Sequence, residues 1–519
     1  MADITNNCLL LESSFDGNVE VIKELLEKGV DVNYQDKDGW TSLALSCKKG
    51  HEEALDILLE ANADPNICTK ANSSPLMIAL TKSHFNGQIL TAETQLSIPE
   101  KLLQKGALIN HQDNDGWTAL FAACHNGNVN LAGFLLEANA DPNICLNEGT
   151  WEGISPLMSA CTKGYVDLVK LLLEKGADIN KQDTDGWTAL HWASDEGHQA
   201  VVNMLLEANP DLSICTNTKT SPLIVACDEN LGQVVKSLIE KGVDVNLQND
   251  EGKTALYIAC NYGRHDISEI LLEANADTSI CTNDKKSPLM EASGGGNAKT
   301  VKSLLQKEIN IDRQDENGFT ALYHAVYHGH VEVLEILLEA NADPNIANNE
   351  GRSPLISASY DGYIEVMKRL LKKGVEINKQ DDDGWTALYR AVYYNKSGSV
   401  DLLLDANADT DICTNQKKSP LWSACDDSYA DMVKKLLMKG ADVTKREEDG
   451  QTALSRARDC GNAAIIAMLK DANKGNKEEV GDQYSDDRVA QLEAKMVEMQ
   501  DTLKSIQLAL QEAKECKEV

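Results

Sequence analysis

The chain has 519 residues, too many for one compact core, so it must divide into several domains or a repeat array. Forty-nine basic against eighty-two acidic side chains leave a formal charge of −33, a surface that repels nucleic-acid phosphates and anionic lipid and favours basic partners. No run of eighteen apolar residues occurs, which excludes a membrane-spanning helix, and the start (Met1 to Asn7) has neither the basic nor the apolar region of a signal peptide.

Taken from the N-terminus, residues 7–33 read as a cap, and from Trp40 onward two phrases alternate. One is D-x-D-G-W-T-A-L followed by LLEANADPNIC; the other is S-P-L-x-x-A followed by LLEKGADINKQ. The position before Thr in the first phrase falls at Trp40, Trp117, Trp187, Lys253, Phe319, Trp385 and Gln451, in steps of 77, 70, 66, 66, 66 and 66 residues. The second phrase opens at Ser74, Ser155, Ser221, Ser287, Ser353 and Ser419. Half of 66 is 33, the length of an ankyrin repeat, and T-A-L-H-W-A at residues 188–193 is similar to the ankyrin signature T-P-L-H-x-A. On these phrases the chain resembles the ankyrin-repeat family, with about fourteen units from residue 5 to 473. The resemblance implies an all-α fold: an ankyrin-repeat solenoid of helix-turn-helix pairs with projecting β-turn loops over residues 1–473. A polar linker (474–485) and a coiled-coil helix (486–519) are expected to follow.

The local chemistry agrees with that fold. Thr or Ser opens each first helix as its N-cap, with Pro at the first helical position in units such as Ser155-Pro156 and Ser353-Pro354. Gly50, Gly127 and Gly197 end that helix. Gly176, Gly374, Asn62 and Asn341 end the second in the left-handed conformation. Apolar flanks such as Leu171, Leu172 and Leu173 can be covered only by a neighbouring pair, so stability is a sum over interfaces. Two steps exceed 66. Eleven extra residues are placed within 84–99, between the two helices of one unit, and four near 147–153, including Trp151; both read as loops extending from the array.

Most of the fourteen cysteines keep phase with the repeat: Cys68, Cys145, Cys215, Cys281 and Cys413 close the first phrase, and Cys161, Cys227 and Cys425 follow S-P-L-x-x-A. Cys47, Cys124 and Cys260 end first helices, and no C-x-x-C occurs. Such thiols read as small buried hydrophobes kept reduced, which points to the cytoplasm, with the nucleus as the other compartment allowed.

The D-x-D-G loops fail as calcium sites, because Tyr34, His111 and Lys181 fill the first ligand position and Leu45, Ala122 and Trp192 the last. His324 and His328 have the spacing of zinc ligands on a helix, but His330 belongs to the repeat and no third ligand is evident. No P-loop, dinucleotide fingerprint or kinase signature is present, and no catalytic residue breaks the repeat frame. No enzyme, metal or cofactor is expected. The family resemblance implies that Asn33, Asn180 and Asn246 could be substrates of an asparaginyl hydroxylase; they serve equally as turn formers.

The resemblance also implies that partners are held at the turn tips and on the first-helix face. The variable position before the helix-opening Thr or Ser is Trp40, Trp117, Trp187, Phe319 and Trp385 in one phrase, and Lys286, Arg352 and Lys418 in the other. Tyr327, Tyr360 and Tyr393 recur 33 apart near the end of the first helix; they either face a partner or pack on adjacent helices. Tyr, Trp and Arg dominate binding hot spots. A groove across repeats ten to twelve is therefore the expected site for an extended or helical peptide, and the acids beside it (Asp361, Asp382, Asp383, Asp426 and Asp427) would favour a basic ligand.

In the tail, Val489, Leu492, Met496, Met499, Leu503, Ile506 and Leu510 (then Ala513) step by three and four, as a coiled-coil seam does. Three uses stay open: a homodimer, pairing with another protein's helix, or docking on the last repeat. The functional expectation is a protein-interaction scaffold or adaptor that binds a client protein and inserts in no membrane. The alternatives are a regulatory subunit (a ubiquitin-ligase substrate receptor or an enzyme inhibitor) and a cytoskeletal or membrane-protein tether.

Overall fold

The computed structural model describes residues 2–80, 84–85, 88–89, 92–147 and 151–477. Among the described residues, 28 helices run in order from Ala2–Asp16 to Ala463–Lys477, which makes fourteen pairs. The strands form one short antiparallel hairpin, His84–Phe85 against Gln88–Ile89. The chain divides into two compact units, Met1–Glu316 and Asn317–Val519. No helix among the described residues is long and apolar enough to cross a membrane.

One pair shows why the phrases fold as they do. Thr188 sits extended (φ −98°, ψ 171°) and its side chain accepts from the His191 N–H, opening the helix Ala189–Asp195. That helix has only seven residues, too few to persist alone. It is held because Ala189, Leu190 and Ala193 are buried. The following helix Gln199–Glu207 turns Val201, Val202, Leu205 and Leu206 inward at helical spacing, each Leu worth roughly 1.5–3 kcal/mol of burial. Asn62, Asn341, Gly176 and Gly374 take positive φ of 62°, 62°, 85° and 77° at second-helix ends, as the sequence implies. Gly127 is needed twice over: its φ is +70°, and a Cβ there would lie 2.8 Å from the Tyr165 ring.

Neighbouring repeats are tied by two recurring side-chain bridges. Gln182 Nε2 donates to the Gly186 carbonyl (2.8 Å) and, 33 residues on, to the Cys215 carbonyl (3.1 Å). Gln35, Gln112, Gln248 and Gln380 repeat this arrangement. Asn33, Asn180 and Asn246 accept from the backbone N–H of Asp64, Asp211 and Asp277, each 31 residues ahead. They are therefore inter-repeat bridges as well as turn formers.

The structure amends the expectations in three places, the turn cysteines, the first insertion and the last helix. Cys47, Cys124, Cys161, Cys227, Cys260 and Cys425 are buried, but Cys68, Cys145, Cys215, Cys281 and Cys413 are only half-buried. Each of the latter lies in the turn, with its Sγ–H donating to the carbonyl two residues earlier, as in Cys68 to Asn66 (3.3 Å). The first insertion is not all loop, since the hairpin is followed by the helix Ala92–Gln104, which carries Pro99 within it. Trp151 of the second insertion is exposed. The last helix, Ala463–Lys477, continues into the stretch read as linker. The coiled-coil seam from Val489 to Leu510 lies outside the described residues.

Candidate protein-binding face

Each D-x-D-G turn fixes the residue that precedes its helix-opening Thr. Asp381 Oδ1 accepts from the backbone N–H of Asp383 (3.1 Å) and Trp385 (2.8 Å), and Gly384, at φ +78°, reverses the chain between them. Held there, the Trp385 ring lies back along the helix Ala387–Tyr393, edge-on to Tyr389 at 4.8 Å and tilted against Tyr393 at 5.0 Å. Phe319 does the same, stacked on Tyr323 at 4.5 Å and Tyr327 at 6.2 Å. Trp117 rests on Phe121 and His125, Trp187 on Trp192, and Trp40 under the Lys48 ammonium at 4.1 Å. These five rings are thus half-buried on their own helices, a correction to the expectation of tryptophans exposed at the tips. The reason is helical spacing: positions four and eight residues after the ring lie on one face and receive it.

Tyr327, Tyr360 and Tyr393 are the exposed row, at 51, 42 and 43 %. Tyr394, which the sequence reading missed, joins two of them, 4.4 Å from Tyr360 and 5.0 Å from Tyr393 between ring centres. Tyr323 and Tyr389 are the buried members of the same stacks, and burial pushes both phenols up. The signal for them stood in ALYHAVY and ALYRAVY, where the second Tyr follows the first by four.

The expected cations occupy the equivalent position in the S-P-L repeats, all half-buried. In the first unit, Lys286 lies 3.6 Å from Glu291 and 3.7 Å from Asp284. In the second, Arg352 pairs with Glu350, and the Lys418 ammonium lies 4.6 Å over the Trp422 ring. A further cation was missed: Arg390 is 7 % exposed, pairs with Asp381 Oδ2 at 2.7 Å and lies 4.8 Å over the Trp385 ring. Of the acids expected to favour a basic ligand, Asp426 is paired with Arg456 at 2.6 Å, whereas Asp382, Asp383 and Asp427 are exposed.

In the second unit these side chains leave two clefts. One of about 510 Å3 is lined by Phe319, Tyr327, Arg352, Tyr360, Arg390 and Tyr394, among others. The other, about 300 Å3, is lined by Trp385, Tyr389, Tyr393, Lys418 and the turn residues Asp383 and Thr414 to Gln416. Both combine aromatic walls with a few polar groups, as ligand-holding clefts do. The His328 and His330 rings are 6.1 Å apart, and no group of three metal-ligating side chains comes together among the described residues.

Compared with known proteins, the chain matches the family model of ankyrin repeats (3 copies) in seven overlapping stretches: residues 9–95, 89–183, 141–214, 209–280, 275–348, 341–415 and 396–479. Similar curated relatives include a putative ankyrin repeat protein of Rickettsia bellii, 31 % identical over 134 residues, which is 26 % of this chain and 37 % of the relative. The Caenorhabditis elegans ankyrin repeat and KH domain-containing protein mask-1 is 30 % identical over 27 % of this chain and 5 % of its own length. Human ankyrin repeat domain-containing protein 63 is 32 % identical over 20 % of this chain and 26 % of its own. The matched part covers at most 37 % of the length of these relatives.

Proposed function

Because the chain belongs to the ankyrin-repeat family, whose repeats are protein-interaction modules, we propose that it is a scaffold or adaptor that grips a client protein along the aromatic face of residues 319–418. The observation that carries this reading is the exposed row Tyr327, Tyr360 and Tyr393 beside two clefts in one unit. Exposed tyrosines backed by buried ones offer large, rigid, amphipathic contact area with little side-chain entropy left to lose. The half-buried Trp385 and Phe319 support that face from below; the tyrosines make the contact. In the first unit, Trp40, Trp117, Trp187 and Lys286 occupy the same repeat position.

The seam from Val489 to Leu510 would join two copies, raising avidity through effective concentration. Work in the cytoplasm suits the free thiols. The test is capture of one identified client by full-length protein and by the double variant Tyr360→Ala with Trp385→Ala. The reading expects capture to be lost while the array stays folded, with melting lowered only by the packing that the half-buried Trp385 ring gives up. Unchanged capture would place the client elsewhere. Light scattering of the full chain against one ending at Asn473 tests the dimer, which should revert to monomer in the shorter form.

A further inference from the structure

Resting on that reading and deepening it, we propose that the cleft bounded by Phe319 and Tyr394 is a carboxylate subsite. It takes one Asp or Glu side chain of the client peptide, between aromatic walls, onto Arg352 and Arg390. Two guanidiniums line this cleft and only one acid, Glu350, does so. Asp381, which holds Nη2 of Arg390, is not part of the lining. Arg390 is more than nine-tenths buried, yet its Nε has no hydrogen-bond partner, and the Nε of Arg352 is buried and unpartnered as well.

A buried donor left unmade is costly, and charge-assisted bonds from a guanidinium to a carboxylate are the strong ones. Tyr327, Tyr360 and Tyr394 belong to the same lining, and a phenol is a further kind of donor for an anion. A Lys or Arg side chain entering here would find the nearest carboxylates already paired, Glu350 with Arg352 and Asp381 with Arg390, and no unpaired acid in the lining to receive it. This reverses, for the cleft itself, the expectation of a basic ligand. The exposed Asp382, Asp383 and Asp427 lie outside the cleft lining and suit basic residues that flank the inserted acid.

The experiment is selection of random twelve-residue peptides displayed on phage against the full chain, followed by titration of the winning peptide with Glu or Gln at its recurrent position. Binders should carry Asp or Glu at one fixed position. The Gln form should bind about ten-fold or more weakly. Arg352→Gln should lose about as much and no longer distinguish the Glu form from the Gln form. It is chosen over Arg390→Gln because Arg352 is half-exposed and its loss leaves Asp381 paired. Glu350→Gln, which frees Arg352 from an internal competitor, should instead tighten the Glu peptide several-fold, a gain that damage to the fold cannot produce. Binders lost in the Tyr360→Ala, Trp385→Ala variant but carrying no fixed acid, or a fixed Lys or Arg, would overturn the carboxylate subsite and leave the client-binding face standing. Phosphoserine binding more than ten-fold tighter than Glu at that position would also overturn it. Binders indifferent to that double variant would overturn the subsite and the face together.

Discussion

The Asp381 carboxylate meets the Arg390 guanidinium at 2.7 Å, with the two side chains only 1 and 8 % exposed. One oxygen of this carboxylate caps the turn before Trp385 while the other holds the cation nine residues on. Asp183 is built alike: Oδ1 receives the Trp187 N–H at 2.8 Å and Oδ2 the Trp192 indole N–H at 2.9 Å. The turn aspartate therefore clamps the first helix in both units, with a neutral donor in one and a charged donor in the other.

Removing one partner leaves the other charge buried and unpaired. Arg390→Ala should cost about 3–5 kcal/mol, and Asp183→Ala less, since it strands no charge. Urea unfolding of both variants measures the difference. Equal losses would mean that Arg390 contributes packing rather than charge.

Gln380 Nε2 bridges the Gly384 carbonyl at 2.7 Å and the Cys413 carbonyl at 2.9 Å in the next repeat. Gln380→Ala should cost about 1–3 kcal/mol for two bonds and broaden the unfolding transition, because it weakens an interface rather than a repeat. Hydrogen exchange should show faster opening confined to the repeats on either side. Uniform protection across the unit would show that the bridge does not couple them.

Acidity acts on the two units in opposite senses. Burial raises the Glu447 carboxyl from 4.5 to about 7, against the pull of Lys418. Folding therefore favours its protonated form, and the stability this contributes is full below the ordinary value and lost as pH rises through about 7. Burial lowers His191 from 6.5 to about 4, so its repeat is most stable above 6.5 and weakens as pH falls toward 4. Protection factors, which correct exchange for its intrinsic pH dependence, should show the last repeat tighter at pH 5 and the repeat of His191 tighter at pH 8. Glu447→Gln should abolish only the former difference.

The repeat phase, the fourteen pairs and the caps were legible in the sequence because each is written many times at a fixed spacing. Thr188 and Ser353 open their helices where the phrases place them. Less legible was which way each aromatic lies. Trp385 and Tyr393 look like two separate surface rows in one dimension, yet helical geometry folds one onto the other with Tyr389 between. Arg390 was hidden because its meaning depends on Asp381, nine residues away, and Tyr394 because it lies one residue off the 33-residue register.

Thiol chemistry reports the burial classes directly. Cys8 and Cys460 are exposed, the five turn cysteines are half-buried, and Cys47, Cys124, Cys161, Cys227, Cys260 and Cys425 are buried with their thiols pushed up by desolvation. Iodoacetamide with mass spectrometry should therefore modify Cys8 and Cys460 first, the turn set slowly, and the buried six only on unfolding. Early labelling of Cys161 or Cys227 would contradict this packing.

The most direct test of the client-binding face is photo-cross-linking in the native cell with p-benzoylphenylalanine at Tyr360, against a control at Met438, which is 77 % exposed on a second helix. One discrete client adduct at position 360, absent at 438 and diminished by Arg352→Gln, is the outcome predicted. An adduct at 438 with none at 360 would contradict it.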